Sequence, residues 1–182
     1  MKNVVKTIAN EVTEVLSRVK ETELLQVQKE IQTARQIFIA GTGRSGLIGK
    51  VFAMRLMHSG YPVYVVGETI TPSIQPDDVL LIISGSGNTT TLVQYAKKAK
   101  EVGAKLALMT TNKQSSIGSI SDCVTVIPAA TKKRLAHEPE TIQPLGSQFD
   151  QAAHLLLDAL CVELAKKTED AKKLIYRHAN LE

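Results

Sequence analysis

The sequence is poor in the features that mark several classes of protein. Its 182 residues include no tryptophan, 4% aromatic residues and two cysteines, Cys123 and Cys161, which are far apart. Base-stacking surfaces for nucleic acids need aromatic side chains, and disulfide frameworks or zinc sites need closely spaced cysteines. The longest purely apolar run, Val79 to Ile83, is far shorter than the roughly 20 residues of a membrane-spanning helix. We therefore expect a cytoplasmic protein that contacts neither nucleic acid nor membrane and holds no metal.

The composition is that of a globular domain. Hydrophobic residues make up 43% of the chain, charged residues make up 22%, and the net charge is +4. Most lysines stand among acidic residues, as at 97–101 and 165–173, which is typical of solvated helix faces. This balance favours a small anionic ligand over a polyanion. We expect one domain over 1–182, with a helical segment at 1–33 and an α/β core with C-terminal helices at 34–182.

Short apolar runs alternate with helical patterns along the core. Five β-branched runs end in Gly, Ser, Thr, Asn or Pro, at 37–40, 63–66, 79–83, 106–110 and 123–127. Helical spacing lies between several of them, at 47–58 and 90–102, and before them at 2–33, where it predicts one long helix or a broken pair. Continuous apolar strands separated by helices are typical of a parallel sheet covered on both faces. The sequence therefore predicts a doubly wound, flavodoxin-like α/β fold with a five-stranded parallel sheet.

A glycine-rich loop follows the third predicted strand. In an open parallel sheet, ligands bind outside the carboxyl ends of the strands. Glycines let backbone N–H groups approach an anion, hydroxyl and amide side chains donate to it, and the next helix presents its positive end. Capping of the helix is the alternative role of such residues. The phosphate-binding candidates are Ser84, Gly85, Ser86, Gly87, Asn88 and Thr89.

A second glycine-rich loop, Gly41 to Gly46, follows the first predicted strand. Its G-x-G-x-x-G pattern, with Glu68 about 20 residues further on, also fits a dinucleotide site, so an NAD(P)-dependent oxidoreductase is an alternative function. The size of the chain and the second anion loop weigh against it. Arg44 can hold a phosphate or sugar oxygen with its guanidinium fork, and Ser45 stands beside it.

Several segments together carry a resemblance to a known family. They are GTGRSG at 41–46, FAMRLMHSGYPVYVVGETITP at 52–72, LLIISGSGNTTT at 80–91, IQPLGSQFDQ at 142–151 and RHANLE at 177–182. From about residue 36 onwards, the chain resembles the sugar isomerase (SIS) domain family and, within it, the 6-phospho-3-hexuloisomerases. This resemblance implies conversion of 3-hexulose 6-phosphate to fructose 6-phosphate through an enediol, in the ribulose monophosphate pathway of formaldehyde fixation. It also implies a homotetramer and no cofactor.

The resemblance further implies catalytic roles. The family's base is a glutamate in the segment that aligns with 146–151, which puts Asp150, one methylene shorter, in that place. Asp150 could instead complete a helix-capping box with Ser147, and Glu68 is a reserve base. His58 and His178 are candidates for moving a proton, although both could simply stabilise helix ends. The tail that carries His178 could reach the cleft of a neighbouring subunit.

Two further features bear on function. SIS domains also serve as sugar-phosphate-sensing modules of regulators, which is a third possible function, but no helix-turn-helix pattern precedes residue 36. The stretch 129–146 shows no periodicity and contains two prolines. A loop of this length in a compact domain is usually functional or disordered.

Overall fold

The computed structural model describes residues 1–168 and 171–180. The helices of the described chain are α1 (Lys2–Ser17), α2 (Glu21–Thr33), α3 (Gly43–His58), α4 (Thr90–Glu101), α5 (Ser147–Thr168) and α6 (Ala171–Arg177), with a 3₁₀ turn at Gly118–Ile120. The strands are β1 (Ile37–Gly41), β2 (Val63–Val65), β3 (Val79–Ile83), β4 (Lys105–Thr110) and β5 (Cys123–Val126). None of these helices is long and apolar enough to cross a membrane.

The five strands form one parallel sheet in the order β2-β1-β3-β4-β5. This confirms the predicted doubly wound, flavodoxin-like arrangement. Every residue of the central strand β3 is buried, because alternate side chains enter two different cores. Leu81 packs in the core formed with α2, α3 and α5, and Leu80 and Ile82 pack in the core formed with α4.

The N-terminal segment is a broken pair of helices rather than one long helix. α1 ends at Ser17 and α2 begins at Glu21. Val15 of α1 and Val27 and Ile31 of α2 are buried in the core that also contains α3 and α5. The central part of the apolar face is therefore covered within the chain, whereas Val4 and Val5 near the start of α1 are exposed.

The first glycine-rich loop is shorter than the sequence pattern indicates. α3 begins at Gly43 rather than near residue 47, so Arg44 and Ser45 stand in the first turn of a helix. The turn needs glycine because a Cβ on Gly41 would lie 2.9 Å from the Gly46 nitrogen, and one on Gly46 would lie 2.8 Å from the Gly41 oxygen. These two glycines bring the start of α3 directly against the end of β1.

Candidate active site

A cavity of about 820 Å³ lies at the carboxyl ends of the strands. Its walls come from the segments that follow β1, β3, β4 and β5, from the start of α5 and from Arg18, between α1 and α2. This is the edge at which an open parallel sheet binds ligands. Both glycine-rich segments contribute to it, through Arg44 and Ser45 and through the loop after β3.

The loop after β3 is held rigidly in place. The carbonyl oxygen of Gly85 accepts hydrogen bonds from the hydroxyls of Thr110, at 3.0 Å, and Thr111, at 2.8 Å. The buried Ser84 hydroxyl oxygen accepts the N–H of Gly87 at 3.2 Å. The loop thus presents a fixed arrangement of hydroxyls to the cavity.

Besides Gly85, two more of the six predicted phosphate-binding residues act on the loop itself. Gly87 has a positive φ of 61° and is not among the cavity-lining residues, and a Cβ there would lie 2.0 Å from the Ser115 hydroxyl oxygen. Asn88 lines the cavity, but its amide nitrogen donates to the Ser86 carbonyl at 3.0 Å and its amide oxygen accepts the Ser116 N–H at 2.8 Å. The Asn88 amide therefore ties the loop to the segment after β4.

The remaining groups can hold an anion. Ser84, Ser86 and Thr89 line the cavity, and α4 begins at Thr90 with its N-terminal end beside them. The first N–H groups of a helix have no partner within the helix and lie at its positive end. Hydroxyls next to such an end provide the donors that a phosphate monoester requires.

Asp150, in the first turn of α5, contacts two side chains in the first turn of α3. Its Oδ1 accepts the Ser45 hydroxyl at 2.9 Å, and its Oδ2 lies 2.9 Å from Arg44 Nη2. Arg44 Nη1 also donates to the hydroxyl of Ser147, at 2.9 Å. Both carboxylate oxygens therefore contact α3. A capping box would instead direct the carboxylate to the backbone at the N-terminal end of α5.

The environment of Asp150 makes its carboxylate more basic. Its side chain is 13% exposed. Burial raises the pKa of Asp150, and the Ser45 hydrogen bond and the Arg44 charge only partly oppose this, so the net pKa lies above the ordinary aspartate value. A carboxylate with a raised pKa is, in its ionised form, a stronger base towards a proton on carbon.

Three predicted catalytic residues do not meet Asp150 within this chain. His58 is the last residue of α3, about 22 Å from the cavity end of that helix at 1.5 Å per residue. The ring of His178 stacks on that of His58, with centroids 5.1 Å apart. Glu68 forms an ion pair with Lys50 at 2.6 Å and does not line the cavity.

The long segment after β5 supplies residues that the sequence did not assign to the site. It folds over the cavity, which it lines with Lys132, Lys133 and His137. The signal in the sequence was a basic run inside a stretch without periodicity, which does not indicate where the segment lies relative to the sheet. In the part of the chain that the structure describes, no group of three or more His, Cys, Asp or Glu residues is arranged to hold a metal ion.

Comparison with known proteins identifies relatives over nearly the whole chain. A 3-hexulose-6-phosphate isomerase of Bacillus subtilis is 41% identical over 176 residues, which cover 96% of this chain and 95% of the relative. A 3-hexulose-6-phosphate isomerase of Mycobacterium gastri is 39% identical over 176 residues, covering 96% of this chain and 88% of the relative.

A solved structure agrees with these matches. A Methanococcus jannaschii protein, whose crystal structure was used to infer a molecular function of 3-hexulose-6-phosphate isomerase, superimposes with a TM-score of 0.85 and 33% identity, covering 98% of both chains. Residues 30–154 match the SIS domain, a range that contains both glycine-rich segments and Asp150. The chain belongs to the SIS domain family.

Proposed function

We propose that this protein is a 3-hexulose-6-phosphate isomerase, which interconverts 3-hexulose 6-phosphate and fructose 6-phosphate. The observation that carries the proposal is the basic, largely buried carboxylate of Asp150 in the same cavity as a hydroxyl-rich anion site. The Bacillus subtilis and Mycobacterium gastri relatives that carry this name support the choice of substrate.

The substrate phosphate occupies the loop after β3. The hydroxyls of Ser84, Ser86 and Thr89 and the first N–H groups of α4 donate to its oxygens. Gly85, Gly87 and Asn88 keep the backbone of this loop in place, so their contribution to phosphate binding is the shape of the loop.

Asp150 is the base that moves the proton between carbons. Its carboxylate takes the proton from C2, the electrons of the C–H bond form a C2–C3 double bond, and the C3 carbonyl oxygen becomes an enediolate oxygen. The carboxylic acid then returns the proton to C3, while the C2 hydroxyl loses its proton and becomes the new carbonyl. The proton lost at O2 ends on O3, so atoms and charge balance.

Arg44 and Ser45 assist at the oxygens. Both contact Asp150 at 2.9 Å, so a substrate carbon within reach of the carboxylate has its oxygens near the guanidinium and the hydroxyl. A fixed cation stabilises the enediolate charge, and a hydroxyl can pass the proton between O2 and O3. A role for His58 or His178 in this cavity requires a second copy of the chain, because both lie at the far end of α3.

The test is a coupled assay of fructose 6-phosphate formation with Asp150→Asn. We expect kcat to fall about 10²- to 10⁴-fold, the usual contribution of general acid–base catalysis. Asp158→Asn is the matched control, since Asp158 lies two turns further along α5, pairs with Arg55 and is outside the cavity. It should retain normal kcat and KM.

Each alternative predicts a different result in this assay or in ligand-binding measurements on the wild type. Turnover that survives Asp150→Asn would contradict the assignment of the base. A wild type that binds hexose phosphates without turnover would favour a sensing module, and one that binds NAD(P) instead would favour the oxidoreductase.

The resemblance also suggests the setting of the enzyme. The proposal includes the ribulose monophosphate pathway, a cytoplasmic location and a homotetramer. A stripe on α3, formed by Leu47, Val51 and Met54 and called here the α3 stripe, is exposed. Exposed apolar residues one turn apart on a helix are typical of a surface that packs against another chain.

A further inference from the structure

The loop that covers the cavity is attached to the N-terminal helix by one side chain. The Glu11 carboxylate on α1 accepts three hydrogen bonds from consecutive loop residues: the Thr141 hydroxyl at 2.5 Å, the Ile142 N–H at 2.9 Å and the Gln143 side-chain amide at 3.0 Å. Hydrogen bonds to an ionised acceptor are stronger than those between neutral groups. Glu11 therefore holds a loop segment about 130 residues away in the chain with a single charged group.

The attached segment joins two stretches that line the cavity. Residues 128–133 stand on one side of it, and Leu145, Gly146 and the first turn of α5 stand on the other. Arg134 donates to the Gln143 carbonyl oxygen, which links the two arms of the loop. Gln143 is 4% exposed, so the junction is packed rather than free in solvent.

Among the described residues, the other side-chain anchors of the loop lie within the loop and α5. Gln148 Oε1 accepts the Ala130 N–H at 2.7 Å, and the Glu138 carboxylate accepts the Thr131 hydroxyl at 2.7 Å. Glu11 alone among these anchors belongs to α1, which precedes the range 30–154 that matches the SIS domain. The N-terminal helix thus reaches the cavity indirectly, through the loop.

We propose that Glu11 is a positioning residue for the active site, which holds the loop at 127–146 closed over the cavity and thereby sets the affinity for the sugar phosphate. This inference rests on the proposed function for its substrate. Glu11 does not line the cavity and acts only through the loop.

The charge of Glu11 persists under assay conditions. Burial raises the pKa of Glu11, but the hydrogen bonds from Thr141, Ile142 and Gln143 and the charge of Arg134 outweigh this, so the net pKa lies below the ordinary glutamate value. The attachment of the loop to Glu11 should therefore not depend on pH above the acidic range. A loss of function in a Glu11 variant then reflects the lost hydrogen bonds.

A loosened loop should affect substrate binding more than the chemical step. If only a fraction of molecules has the loop in place, the apparent dissociation constant rises by the inverse of that fraction. Once the substrate is bound and the loop closed, Asp150 meets it as before. A protein that is merely less folded shows the opposite behaviour, a lower apparent kcat with an unchanged KM.

The experiment compares Glu11→Ala, Glu11→Gln and the control Glu14→Ala in the full-length chain. Glu14 is an exposed residue one turn further along α1. We measure kcat and KM, and separately the rate of tryptic cleavage after Lys132 and Lys133, which are exposed in the loop. For Glu11→Ala we expect KM to rise about tenfold with less than a threefold change in kcat, and loop cleavage to accelerate about tenfold. Glu11→Gln should be intermediate, because its amide oxygen can still accept.

Two results would overturn the proposal: Glu11→Ala with the KM and cleavage rate of Glu14→Ala, or a lower kcat at unchanged KM. The proteolysis does not depend on any activity. If the wild type does not isomerise 3-hexulose 6-phosphate, the proposed function fails, while accelerated loop cleavage in Glu11→Ala still supports the attachment and an unchanged cleavage rate still refutes it.

Discussion

Replacing Gly87 by alanine should destabilise the protein through one close contact beneath the phosphate loop. Gly87 has a φ of 61°, a conformation that costs a residue with a Cβ about 1–2 kcal/mol. The added Cβ would lie 2.0 Å from the hydroxyl oxygen and 2.6 Å from the Cβ of Ser115. Because Ser115 is buried and its hydroxyl accepts the Gly118 N–H at 3.1 Å, moving Ser115 away would disturb this buried hydrogen bond.

The magnitude follows from these two contributions. Forcing extra atoms into a packed site costs about 1–3 kcal/mol, so Gly87→Ala should lower the free energy of unfolding by about 2–5 kcal/mol in total. Gly43→Ala is the matched control, because Gly43 has nearly the same φ, 56°, and a Cβ there would meet nothing within 4 Å. It should lose only the backbone contribution of about 1–2 kcal/mol.

Urea unfolding at one protein concentration measures the difference. Titration with fructose 6-phosphate, in turn, reports on the loop, whose displacement in Gly87→Ala should weaken binding. The second substitution Ser115→Gly, added to Gly87→Ala, removes the atoms in the way and should recover part of the stability. Equal stability of Gly87→Ala and Gly43→Ala would refute the reasoning, since the contacts with Ser115 and, at 3.2 Å, with the Thr110 hydroxyl oxygen distinguish them.

Two further predictions concern the charge at the site and the assembly. Arg44→Gln removes the cation that opposes the rise in the pKa of Asp150. Because the base works only when it is deprotonated, the acidic limb of the kcat/KM profile should move to higher pH. Arg55→Gln, which lies away from the cavity, should leave the acidic limb in place. An acidic limb that does not move in Arg44→Gln would show that a group other than Asp150 determines it. Light scattering should give the mass of four chains, and Met54→Lys in the α3 stripe should reduce it; a monomeric wild type would contradict the proposed homotetramer.

The positions of the strands could be predicted because each strand has a local pattern in the sequence. A run such as Val79 to Ile83, apolar at every position, is compatible with a strand buried on both faces, and β3 has those bounds. The start of α3 could not be predicted in this way. Glycine-rich sequence ordinarily indicates a loop, whereas here the contact between Gly41 and Gly46 lets a helix begin inside the pattern.

The candidate site was predictable to the extent that it follows strand ends. The loop after β3 and the Arg44 segment could be assigned to one edge of the sheet because parallel strands share that edge. By the same rule, a helix that follows β1 begins at this edge and His58, its last residue, lies at the opposite end; the proposed role of His58 came from the resemblance alone. Glu11 and the loop it holds were also out of reach, since hydrogen bonds between residues about 130 positions apart leave no pattern in either segment.

The pairing of α3 with α5 explains why a carboxylate is available at this point of the fold. Phe52 of α3 and Ala152 and Ala153 of α5 are buried in one core, which brings the first turns of both helices together at the cavity. The ionised carboxylate of Asp150 does not serve stability: burial raises its pKa, Arg44 and Ser45 offset this only in part, and a carboxyl group whose pKa is raised on folding is less easily ionised in the folded than in the unfolded state. At pH values above both the folded and the unfolded pKa this ionisation opposes folding, and its contribution disappears as the pH falls below both. A group that is kept charged at a cost in stability, beside an anion site, is what proton abstraction from a sugar phosphate requires.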